Sequence, residues 1–258
     1  SNTIKVQIAK GVTVDDAHLI SARQIVNYGT MNVPAEKTLT VNLVGAAKIK
    51  NEGEINLGYK SKVSNIDNAI GRINVIYGSY VGLLSGTNAG EIAYIVDEDD
   101  AAEPQRIKDV IAVTGSGTDR EYANVNILVF NKENVAEFDF TKSTSGKPSD
   151  NPYYDNSTDG SEEVLVLNDV NLEINGVEVS SSSTEKTVTV KDVTINGGAI
   201  KNIAVAGNLT VKGGNVVANV ANIAEALTIE VGQGEITAAT IGSVDIKSGN
   251  FTVNAETI

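Results

Sequence analysis

From Ile4 onward, apolar and polar residues alternate: Ile4-Lys5-Val6-Gln7-Ile8 has the two-residue period of a strand with one buried face. The same alternation recurs near the C-terminus in Val193-Thr194-Ile195, Leu209-Thr210-Val211, Leu227-Thr228-Ile229 and Val244-Asp245-Ile246. Starts at positions 193, 209, 227 and 244 are almost evenly spaced, and each copy is followed by glycine and a further apolar residue. That period is too long for one strand and too short for a strand-helix unit, so each copy is predicted to be one coil of a β-solenoid.

A related repeat of asparagine, glycine and an apolar residue occupies the N-terminal third. Its copies are Val26-Asn27-Tyr28-Gly29, Asn51-Glu52-Gly53-Glu54-Ile55, Gly71-Arg72-Ile73-Asn74-Val75 and Asn88-Ala89-Gly90-Glu91-Ile92. The intervals between glycines 29, 53, 71 and 90 are wider, the first most of all, which predicts larger coils and a loop around Pro34. Equivalent residues of successive coils then lie one strand spacing, about 4.8 Å, apart. At roughly eleven to thirteen coils, the stack is expected to measure roughly 50 to 60 Å.

The pattern breaks between residues 97 and 163. Asp97-Glu98-Asp99-Asp100 opens a polar stretch, and residues 143–163 are rich in Ser, Asn, Asp, Gly and Pro. Strands are predicted at 126–130 and 137–140, with coils resuming at Val164-Leu165-Val166-Leu167. Asn-Gly pairs at 175–176 and 196–197 predict tight turns, and Ser180–Ser183 an outward loop. The expected organisation is one all-β domain over 1–258, with N-terminal coils at 4–97, a loop-rich insertion at 98–163 and short coils at 164–258.

Composition agrees with this picture. Aromatic residues make up 5% of the chain and Trp is absent, whereas there are 24 Gly. The net charge of −13 opposes binding to a phosphate backbone, so nucleic acid is not an expected partner. Without cysteine there is no disulfide, thiol nucleophile or cysteine-ligated metal. No apolar run approaches the roughly 18 residues that a membrane-spanning helix needs, so no transmembrane segment is predicted. Any signal or anchor is expected to lie outside residues 1–258. Phe251-Thr252-Val253 leads to Ile258 without a polar cap, which predicts pairing of an end coil with another domain or partner.

Through its Asn-x-Gly copies at 27–29, 51–53 and 88–90 and its Leu-Thr-Val copies, the chain resembles bacterial right-handed parallel β-helices of the pectin-lyase-like type. It is most similar to the adhesin-like solenoids of cell-surface proteins. The resemblance implies a right-handed winding, a secreted or cell-surface location and a structural or adhesive role toward glycan or surface-protein partners, without catalysis. A carbohydrate-binding module is the alternative, followed by a polysaccharide lyase or hydrolase.

The hydrolases of this fold use two carboxylates to protonate the leaving oxygen and activate water. Asn65-Ile66-Asp67, Asp99-Asp100 and Arg106-Ile107-Lys108 match fragments of their motifs, but the Gly-His-Gly element is missing. Asp97 to Asp100 with Lys108 would be the material for a calcium-dependent lyase. As a strand, that run would point only two acids at one ion, and a solvated acidic loop is the expectation. Asp15-Asp16-Ala17-His18 holds the only histidine and reads as a cap on the first coil.

Asp155-Asn156-Ser157-Thr158-Asp159-Gly160 resembles the opening of a calcium loop, with Asp155 and Asp159 as ligands, but Val166 stands where the closing glutamate belongs. No cofactor is therefore expected, with Ca2+ at this loop as the alternative. Tyr59 and Tyr77 follow the repeat glycines 53 and 71 by six residues, and Tyr94 follows Gly90 by four. The three are expected to form an exposed column whose ring faces bind sugars, with Tyr80, Tyr153 and Tyr154 extending it.

Overall fold

The structure is a computed structural model describing residues 4–41, 48–68, 70–84, 90–103, 106–107, 125–141, 154–156, 162–164, 167–182 and 187–258. It is all-β, with 61% strand and 5% helix. The chain forms two compact units, Ser1–Ile95 with Asp109–Asn126 and Val96–Lys108 with Ile127–Ile258. Each is a stack of parallel β-coils, about eleven turns in total.

In the first unit each full coil contributes two short strands separated by an asparagine and a glycine. One sheet stacks Lys5–Ile8, Gln24–Asn27 and Lys48–Asn51, continuing through Lys62–Asp67 and Tyr80–Leu83. The other stacks Thr13–Val14, Thr30–Val33, Glu54–Leu57, Arg72–Val75 and Glu91–Val96, all parallel. Register places Met31, Ile55, Ile73 and Ile92 in one inner column, each wholly buried. Burying each such side chain contributes about 1.5–3 kcal/mol.

A second inner column is polar. Asn27 donates through Nδ2 to Asn51 Oδ1 (2.8 Å), and Asn51 donates likewise to Asn68 Oδ1 (2.9 Å). The same amides also donate to the carbonyls of Glu54 (2.9 Å), Arg72 (3.2 Å) and Glu91 (3.3 Å) in the adjoining strands. All three asparagines are fully buried, so these bonds replace the water each amide would lose. The repeat glycines follow from that packing: a Cβ on Gly71 would lie 2.3 Å from Asn51 Nδ2.

In the second unit, inner columns run through Leu172, Val193, Leu209, Leu227 and Val244, and through Phe138, Val179, Ile200, Ala218, Ile236 and Val253. Its first coil is filled by Phe130, Phe138 and Phe140, whose ring centroids are 5.1 to 6.2 Å apart in tilted and edge-on contacts. The predicted strands at 126–130 and 137–140 are present as Ile127–Asn131 and Glu137–Asp139.

Three local expectations are corrected. Asn196-Gly197 does not end a strand: Val193–Lys201 runs through it, bending where Gly197 and Gly198 take φ of 74° and 94°. Gly176, Gly214, Gly232 and Gly249 also have positive φ, and a Cβ on Gly214 would come within 2.8 Å of Gly197 Cα. This corner is therefore a glycine stack rather than a series of hairpin turns. Ser180 belongs to the strand Val177–Ser180 and Ser181 is buried, so the serine run is not outward there. Val164 pairs antiparallel with Tyr154 and is not part of a coil, whereas Leu167, the last residue of the expected run, does pair parallel, with Val190, and the coil continues at Asn171–Asn175.

Three substitutions test the ladder and the glycine corner. Asn51→Ala, which leaves Asn68 Oδ1 and the Arg72 carbonyl without this donor, is expected to destabilise by about 2–4 kcal/mol in urea unfolding. Asn56→Ala, at a half-buried position that water can reach, should cost under about 1 kcal/mol; equal losses at the two sites would refute the buried ladder's role. Gly214→Ala is expected to cost about 1–3 kcal/mol through backbone strain and contact with Gly197.

Candidate functional site

The tyrosines sit on a turn that follows the second strand of each coil in the first unit. Glu54 pairs with Arg72 and Lys62 with Tyr80, so the intervening turns align residue for residue and Tyr59 and Tyr77 occupy equivalent positions. The turn has one form in three coils. Lys37, Ser61 and Ser79 donate from their backbone N–H to the carbonyls of Pro34 (3.2 Å), Gly58 (3.0 Å) and Ile76 (3.1 Å). Their preceding residues Glu36, Lys60 and Gly78 all adopt the left-handed region, at φ of 61°, 54° and 81°. Such a turn puts Ala35, Tyr59 and Tyr77 at its first corner.

Tyr59 is 45% exposed, and Lys60 Nζ lies 5.0 Å from its ring centroid. Tyr77 and Tyr80 are half-buried. Tyr94 departs from the expected column. It lies inside the strand Glu91–Val96 and is wholly buried, because its register partner in the preceding coil is the inward-facing Val75 and not Tyr77. The surface column is therefore a pair.

A second polar ladder lies beside the strands of this unit. Asn32 donates to Asp15 Oδ1 (2.9 Å), Asn56 to Asn32 Oδ1 (2.9 Å), and Asn74 to Asn56 Oδ1 (2.7 Å). Arg72 Nε donates to Asn74 Oδ1 (2.8 Å), and its Nη1 lies 3.3 Å from Glu91 Oε2. The amide hydrogens thus point toward a carboxylate at one end and the amide oxygens toward a guanidinium at the other. Each terminal charge stabilises the aligned amide dipoles.

The acidic run at 97–100 is neither strand nor loop. Asp97 caps a short helix, Glu98–Ala102, by accepting from Asp100 N–H (2.9 Å), while Asp100 Oδ2 accepts from Asp97 N–H (2.9 Å). Asp100 is fully buried, and Arg106 lies against it and its neighbours: Nε is 3.2 Å from Asp100 Oδ1, and Nη1 is 3.3 Å from Asp99 and 3.6 Å from Asp97. Two of the hydrolase-like fragments do meet, as an arginine clamped on a helix cap. Of the third fragment, Asn65 has φ of 58° and Asp67 pairs with Lys48 at 2.8 Å.

His18 lies in a single turn of 3-10 helix, Ala17–Leu19, with Nδ1 3.9 Å from Asp16. Asp155 falls in the strand Tyr154–Asn156; its side chain and all of Asp159 lie outside the described residues, as do Tyr153 and Lys108. A pocket of about 260 Å³ that the sequence reading missed lies in the second unit, lined by Ala101, Glu137, Phe138, Asp139, Glu178 and Ser180. Glu137 and Glu178 are in register, but they stand on either side of the 143–163 stretch, and that distance along the chain hides the pairing. Lys201 neutralises Glu178 at 2.7 Å, and Asp139 Oδ1 accepts from Thr141 and Ser182. Among the described residues no group of three or more His, Cys, Asp or Glu is arranged to hold a metal ion. Among them, too, no helix is long and apolar enough to cross a membrane.

Comparison with known protein families, curated proteins and solved structures finds no match to this chain.

Arg106→Met is expected to destabilise the protein by about 3–5 kcal/mol, since it leaves the buried Asp100 carboxylate without its cation. Adding Asp100→Asn should recover part of that loss in urea denaturation. A loss below about 0.5 kcal/mol for the single variant would show the cluster to be solvated.

Proposed function

We propose that the chain is a non-catalytic β-solenoid scaffold, secreted or displayed at a cell surface, that presents its coils to glycan or protein partners. What supports this reading is where the polar side chains go. In the first unit Asp15, Asn32, Asn56, Asn74, Arg72 and Glu91 bind one another along the stack. In the second, Asp97, Asp99 and Asp100 are held by Arg106. These groups hold coils and a helix cap together rather than converging on a substrate position, which acid-base catalysis requires. Resemblance to bacterial surface solenoids supports the location and the pectin-lyase-like type, and the usual handedness of parallel crossovers supports a right-handed winding.

A second reading, a carbohydrate-binding module, is favoured by Tyr59 and Tyr77 at equivalent positions of adjacent turns. Flat ring faces one rung apart, about 4.8 Å, offer a sugar chain two contact points.

Incubating the protein with a polysaccharide panel should release neither reducing ends nor unsaturated uronides; either product would overturn the non-catalytic reading. On a glycan array, a specific signal that falls about tenfold in Tyr59→Ala/Tyr77→Ala would support sugar binding, a loss of about 1.4 kcal/mol. Silence across the array would leave protein partners as the target of the scaffold.

A further inference from the structure

We infer that the tyrosine turn face of the first unit binds an anionic saccharide, one carrying carboxylate or sulfate groups. This rests on the glycan-binding reading above and adds the charge of the ligand. Lys60 lies over the ring of Tyr59, and Lys37 and Lys62 stand on the same or the adjoining turn; all three lysines are exposed. Lys60 follows Tyr59 in the turn, Lys62 pairs in register with Tyr80, and Lys37 occupies the same turn one coil earlier, its carbonyl accepting from Lys62 N–H (2.9 Å). Among the described residues none of the three lysines is in an ion pair, whereas Lys48, Lys50 and Arg72 of the same unit each face a carboxylate. The acid belonging to the face is Glu36, in the turn of Lys37.

A local excess of cations is unusual for a chain of net charge −13. An anionic ligand is repelled by such a protein except where the near field is reversed, so a positive turn face gives it a preferred approach. The Tyr59 ring supplies an apolar plane for the C–H groups of a sugar. Lys60, whose ammonium lies over one face of that ring at 5.0 Å, can turn it to an acidic substituent of a sugar that takes its place. A neutral sugar gains the first contact alone. The left-handed turn at Lys60 is repeated at Gly78 and sets Tyr59 and Tyr77 at the same corner of adjacent turns, so a second sugar meets the half-buried Tyr77 and Tyr80 one rung on.

The test uses the full chain and three probes of equal length in titration calorimetry: an oligouronate, a sulfated oligosaccharide and an uncharged oligosaccharide. At least one charged probe is expected to bind about tenfold more tightly than the uncharged one, with affinity falling as salt rises. Lys60→Gln/Lys62→Gln should remove that difference, while Tyr59→Ala weakens every probe. Both are surface changes, and an unchanged unfolding midpoint confirms the fold. Equal, salt-insensitive binding of all three probes would overturn the charge inference and leave sugar binding standing. Binding of none would remove both. Tighter binding of a single-stranded oligonucleotide than of either charged sugar would also overturn it, by showing a general anion patch.

Discussion

A buried amide must find hydrogen-bond partners for its donors and its acceptor, and in this protein parallel stacking in register provides them. Asn27, Asn51 and Asn68 lie inside the first unit with no access to water, each successive pair joined at 2.8 or 2.9 Å. A shift of one residue in any coil would send the asparagine to the outside face and leave its neighbours unpaired, at about 1–3 kcal/mol per lost group. A slip of two would keep apolar side chains inside, where one branched residue packs nearly as well as another. The ladder would still be broken, so it selects the register in which Met31, Ile55, Ile73 and Ile92 align.

The outer ladder runs with opposite polarity. Inner amides donate toward later coils, and Asn56 and Asn74 donate toward earlier ones, ending on Asp15. Water competes for the outer bonds, so they contribute less to stability, but they occupy the outward amides of Asn32, Asn56 and Asn74. The turn that carries Tyr59 and Tyr77, with Lys60 in it and Lys62 and Tyr80 beginning the strands that follow, stands apart from that ladder. A scaffold that ties its outward amides to one another favours recognition at the turns, where binding residues of rigid folds commonly sit.

Much of the fold was legible because stacking repeats the same physical demand every coil. The alternation of Leu209-Thr210-Val211 and of the copies at 193 and 227 identified inner and outer positions correctly, whereas in the copy at 244 Ile246 stays half exposed; glycine periodicity located the corners. The inner ladder was only half visible. Asn27 and Asn51 precede their glycines by two residues, but Asn68 precedes Gly71 by three, so a fixed spacing passes over it. Among the candidate sites, Tyr59 and Tyr77 aligned as expected because the offset between their coils is constant. Tyr94 did not, since register sets it against Val75, short of the turn and on the inward face of a strand.

The sequence by itself determined the solenoid and most of its strand positions, because burial of apolar side chains at period two is a local requirement written in residue type. Tertiary structure alone decided which polar groups face each other. Asp100 became a buried partner of Arg106 because a capping box drew the acidic run into a helix. Glu137 met Glu178 through register between strands far apart along the chain. Those outcomes depend on how many residues each coil spends between its strands, which sets the register of distant strands and is not fixed by residue type alone.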